Sequence, residues 1–79
     1  EDGHALINRS VARRCAHDAL ADGVDSGLRG NSLIRHMMAF MSREADAVHS
    51  EYHNSLSGAS YGTHQRIAER ALAEVSPCT

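Results

Sequence analysis

Asp46, His49 and His53 carry the residue types and the spacing best suited to chemistry in this sequence. On a helix, residues three and four apart stand on one face, so two imidazoles and a carboxylate would project side by side. Such a set suits a borderline divalent metal, zinc or copper. The competing reading is a polar shoulder beside a buried apolar stripe, with any bound metal adventitious and no resident cofactor.

Hydrolytic chemistry finds little support around these residues. In the zinc-protease pattern His-Glu-x-x-His the Glu directly follows the first His. Glu51 comes one position later, about 200° round the helix from His49, and points away. Met37, Met38 and Met41, with His36 nearby, offer soft donors for copper, but thioethers more commonly fill cores or adaptable interfaces. Cys15 and His17 are two residues apart and cannot face one another on a helix. There is no Gly-x-Ser-x-Gly elbow, no Cys-x-x-Cys-His haem site, and no Lys to complete a phosphate loop. The expectation is a protein without enzymatic activity.

Composition narrows the class. The chain has 79 residues, enough for a single domain over 1–79 and a small core. It contains no Trp, one Phe (Phe40) and two Tyr (Tyr52, Tyr61), so alanine supplies much of the apolar fraction. All eight basic residues are Arg, the net charge is −2, and protonation of all six His would carry it to +4. The arginines are interspersed with acids along the chain, which disfavours a continuous basic face for nucleic acid. Arg13-Arg14 reads more naturally as part of a solvated helix face than as a processing site. No apolar run is long enough to cross a bilayer.

Cys15 and Cys78 suggest one disulfide closing a loop of roughly 60 residues, worth about 4 kcal/mol in the chain-entropy model. That pairing, together with the absence of an initiator Met, points to a secreted or periplasmic product cut from a longer chain. Asn8-Arg9-Ser10 is a formal glycosylation sequon of a kind common by chance.

The elements that would hold these residues follow from periodicity. An Ala-rich segment over about 5–22 spaces Ile7, Val11, Cys15 and Ala19 four apart, with Gly23 as a stop. Asp25, Ser26, Gly27 and Gly30 mark a turn. Asn31 or Ser32 can cap a long helix over about 32–57, in which Ile34, Met38, Met41, Ala45, Val48 and Tyr52 step four, three, four, three, four. Leu33, Met37 and Phe40 widen the first half of its stripe. That half needs two neighbouring elements, or one element and a partner chain. Thr63 caps a third helix over about 64–75, closed by Ser76-Pro77.

The expected fold is therefore all-α: a three-helix antiparallel bundle with a long central helix, stapled by Cys15–Cys78. The alternative is a small α+β sandwich with an N-terminal edge strand over Gly3–Ile7. The expected function is a secreted or periplasmic helical protein-interaction domain, binding a protein partner or a second copy of itself, with Leu33, Ile34, Met37, Met38, Phe40 and Met41 as its face. Two alternatives share these features: a processed subunit of a secreted toxin, effector or peptide signal, and a small domain responsive to metal or pH.

Overall fold

The computed structural model describes residues 8–75. They form four helices in one compact unit: α1 (Arg9–Asp25), α2 (Gly30–Asp46), α3 (His53–Leu56) and α4 (Tyr61–Val75). The architecture is all-α, and among the described residues there is no strand. The edge strand considered over Gly3–Ile7 lies outside the described residues.

Helix α1 starts where Asn8 accepts a hydrogen bond from the Val11 amide at 3.1 Å, a conventional side-chain cap. Its buried positions, Ala12, Cys15, Ala16, Ala19, Leu20 and Gly23, share one face, each three and four residues from others of the set. Most are small, so neighbouring helices approach the α1 backbone closely. Gly23 is an interior packing position and not the helix stop. A Cβ there would collide with Leu33 and come within 3.1 Å of the His36 ring. The helix instead closes after Asp25, where the Leu28 amide bonds the Gly23 carbonyl at 3.0 Å and Gly27 takes φ +79°.

Helix α2 buries Leu33, Met37, Met38, Met41 and Ala45. It stops at Asp46, eleven residues short of the expected end, and this is the main departure from the sequence-based expectation. The heptad spacing continues through Val48 and Tyr52, but Val48 is 69% exposed and Tyr52 is only 4% exposed. Local hydrogen bonds at the helix end account for the break. Ser50 donates its hydroxyl to Glu44 at 2.5 Å and accepts from the Tyr52 amide at 3.0 Å. His53 Nδ1 donates to the Ala45 carbonyl at 2.6 Å, satisfying a terminal acceptor of α2 with a side chain from beyond it. Geometry favours the same outcome. A straight helix over 32–57 would extend about 39 Å, against about 25 Å for α1, leaving Tyr52 and Leu56 beyond any neighbour.

The fold-back returns both residues to the core. Tyr52 donates its hydroxyl to Asp18 on α1, and the Arg14 guanidinium lies 5.6 Å from the Tyr52 ring centre while also pairing with Glu51 at 3.1 Å. Leu56, Met37, Met41 and Cys15 are the largest side chains that are fully enclosed. Ser60 then caps α4 by accepting from the Thr63 amide at 3.1 Å, so α4 begins three residues before the expected start.

Helices α1 and α4 run side by side in the same direction. Arg9 and Arg13 lie beside Thr63, Arg66 and Arg70, and further along both helices Arg13 and His17 meet Glu74. At the other side of α1, His36 on α2 donates to Asp22 at 2.7 Å.

Truncating Leu56 should show that α3 is an integral part of the core. Leu56→Ala is expected to destabilise the protein by about 2–5 kcal/mol in urea titration. A loss below about 1 kcal/mol, the range of surface substitutions, would contradict the fold-back.

Candidate functional site

The fold assembles a concave surface that linear reading did not foresee. Between α1 and α4 lies a groove of about 480 Å³. Arg9 and Arg13 stand one turn apart on α1, and Arg66 and Arg70 one turn apart on α4; all four line it. Ala12, Ile67 and Ala71 supply its apolar lining. Ala12 and Ala71 are buried and Ile67 is half-buried against the core, so this part of the surface is fixed by packing.

The four guanidiniums differ in how they are tied. Arg13 Nε donates to both carboxylate oxygens of Glu74, at 3.0 and 3.1 Å. His17 Nε2 donates to the same carboxylate at 2.8 Å. These two contacts, His17 first, hold the Glu74 carboxyl below its usual pKa. A depressed carboxylate pKa adds stability above the unfolded value and loses it as pH falls through the folded one. Arg66 makes a long contact of 3.4 Å to the Thr63 hydroxyl. Arg9 and Arg70 make no hydrogen bond or ion pair among the described residues. Glu69, the only acid lining the groove, accepts from Gln65 at 3.1 Å and has no ion pair among the described residues. The lining thus carries four positive charges against one negative, on a chain whose net charge is −2.

The residues singled out from sequence fare differently. Asp46 ends α2, His49 sits exposed in the following turn, and His53 opens α3 with Nδ1 committed to the Ala45 carbonyl. The helical ladder that would align them does not form, and no group of three or more His, Cys, Asp or Glu among the described residues could hold a metal ion. Leu33, Met37, Met38 and Met41 are interior, while Ile34 and Phe40 are half-buried against the same core. The wide α2 face is covered by the chain's own helices, so it is a core surface and not an external one.

Cys15 is a free thiol with no exposure. Its expected partner, Cys78, lies outside the described residues, and no disulfide occurs among the described ones. Burial first, then the carboxylates of Glu44, Asp18 and Glu51, push the Cys15 thiol from 9.0 up to about 12. It is therefore a poor nucleophile. The Tyr52 phenol is likewise raised from 10.0 to about 12, chiefly by its hydrogen bond to Asp18 and then by burial. His64 is buried on the first turn of α4, and its Nε2 finds no partner among the described residues.

The groove had a signal in the sequence: two Arg pairs at i, i+4, at 9/13 and 66/70. Nothing local says that the two pairs face each other. No protein-family model matches the chain, and neither a search of curated proteins nor one of solved structures finds a significant match.

Two measurements check the buried thiol and phenol. In a Cys78→Ser variant, Cys15 should react with an aromatic disulfide reagent only after denaturant is added, and stability should match the parent. A loss of about 4 kcal/mol on that substitution would instead reveal a Cys15–Cys78 bridge. Both raised groups stabilise the fold in their neutral form below their unfolded pKa, and that stability is lost as pH rises toward the folded value. The melting temperature should accordingly fall between about pH 9 and about pH 12, and a flat profile across that window would contradict the burial of both groups.

Proposed function

We propose that this chain is a non-enzymatic protein-interaction domain that holds a partner in the Arg-rimmed groove between α1 and α4. The observation that carries the reading is the composition of that groove: four guanidiniums around an apolar patch fixed by the core. A guanidinium stays charged and does not abstract protons, so this lining is suited to recognition and not to general acid–base chemistry. The two candidate bases at or near the groove are both hydrogen-bonded, His17 to Glu74 and Glu69 to Gln65. The only hydroxyl in the lining, Thr63, is held between Ser60 and Arg66.

Self-association through Leu33–Met41 has lost its motivation, because that face is internal. The remaining large apolar side chains with high exposure, Val24, Val48, Tyr61 and Val75, lie on separate parts of the chain and not on one helix face. A secreted or periplasmic placement rests on the Cys15–Cys78 pairing, and a free Cys15 sealed in the core serves either compartment. No helix among the described residues is long and apolar enough to cross a membrane.

Selection from a random-sequence peptide library against the immobilised chain tests the reading, with the contact mapped by amide chemical shifts. Perturbations should concentrate on residues 9–13 and 63–71. Enrichment of no peptide, or perturbations centred on another surface, would overturn it.

A further inference from the structure

The groove's chemistry specifies its occupant more closely than "a protein". We infer that it receives a short acidic segment of a partner protein, with carboxylates one helical turn apart flanking an apolar side chain. This inference rests on the groove being the docking surface and adds the nature of what docks.

Three observations lead to it. The first is charge. Arg9 and Arg70 have no counter-ion among the described residues, and Arg66 has only a long contact to a hydroxyl. Arginine forks match carboxylates in a two-pronged geometry, so these are open positions for acidic side chains. The second is spacing. Within each pair the two arginines are four residues apart, which is about 6 Å along the helix axis. Carboxylates four apart on a helix, or on alternate residues of an extended strand at about 6.6 Å, repeat at nearly the same distance. The third is the apolar lining. Ile67 is the apolar side chain of the lining that keeps exposed surface, alongside the buried Ala12 and Ala71, and a Leu or Ile of the partner would be covered against it. An ion alone would leave that surface wet.

The same features favour an acidic peptide over nucleic acid. A nucleic-acid backbone carries closely spaced charge over a length that exceeds the groove. Beyond the four arginines it would run toward Glu74, on a chain that is negative overall. No aromatic side chain lines the groove to stack a base. A short segment can end where the basic rows end.

Fluorescence anisotropy on the full chain tests this. The probe is a short labelled peptide with Glu pairs four residues apart flanking Leu, compared with its Glu→Gln counterpart and with labelled oligothymidylate of equal charge. The acidic peptide should bind, its affinity should fall as salt rises, and the Gln peptide should bind at least about tenfold more weakly. Arg9→Gln/Arg70→Gln removes two charges that make no hydrogen bond or ion pair among the described residues and should weaken binding about three- to tenfold. Arg29→Gln/Arg35→Gln, which makes the same change in net charge away from the groove, should leave binding unchanged.

Equal binding of the Gln peptide, localised to the groove by amide shifts, would keep the docking surface but overturn its acidic preference. Tighter binding of oligothymidylate, lost in Arg9→Gln/Arg70→Gln, would assign the groove to nucleic acid instead. Binding of the acidic peptide that strengthens in Glu1→Gln/Asp2→Asn would assign the groove to the chain's own N-terminal acids and overturn the proposal. No binding of any probe would remove the docking surface itself.

Discussion

The end of α2 is the constraint on which the rest of the structure depends. At Asp46 the chain must satisfy the last carbonyls of a helix whose apolar pattern would let it continue. It does so with side chains from the residues that follow: the His53 ring on the Ala45 carbonyl, and Ser50 between Glu44 and the Tyr52 amide. Each bond needs the chain to turn back, and each is lost if the helix runs on. The turn in turn brings Tyr52 to Asp18 and encloses Leu56 in the same core cluster as Met37, Met41 and Cys15. With a straight central helix the interior of this small domain would lose one of its largest enclosed side chains. For a chain with no Trp and one Phe, that is a substantial part of the available apolar volume.

The apolar faces of the three long helices were legible from sequence because periodicity reports burial directly. Cys15 and Ala19, and Met38 and Met41, fall inside as their spacing requires, and the last helix buries Ala68 and Ala71 while leaving Val75 exposed. The width of the α2 stripe also had physical content. It demanded two covering elements, and α1, α3 and α4 provide them without a partner chain. What periodicity could not report was the break after Asp46, since Ala45, Val48 and Tyr52 keep the rhythm of a continuous helix. The deciding residues, Ser50 and His53, act through hydrogen bonds that a hydrophobic pattern does not encode. His53 thus looked like a metal ligand when its ring nitrogen was needed as a helix cap.

The groove was illegible for a different reason. Along the chain the arginines are interspersed with acids, and that mixing suggested a mixed surface. Sequence adjacency is not spatial adjacency: Arg9 and Arg70 are far apart in sequence yet line one groove. The visible clue was the repetition of Arg at i, i+4 on each helix, a like-charge arrangement that slightly destabilises an isolated helix, by a few tenths of a kcal/mol. Only the side-by-side course of α1 and α4 turns two such pairs into one basic rim.

That rim also explains the placement of Glu74. Four guanidiniums around a single groove repel one another, and being solvent-exposed they do so weakly enough for the core to tolerate. Glu74 offsets part of this repulsion at one end, taking Arg13 and His17 together and clamping α1 to α4. Glu69 offsets little, because its carboxylate accepts from Gln65 on its own helix and forms no ion pair among the described residues. The stabilising contacts therefore gather at the Glu74 end, while Arg9, Arg66 and Arg70 keep their charge available. The same pair of helices is thus fastened by ion pairs at one end and carries unneutralised guanidiniums at the other.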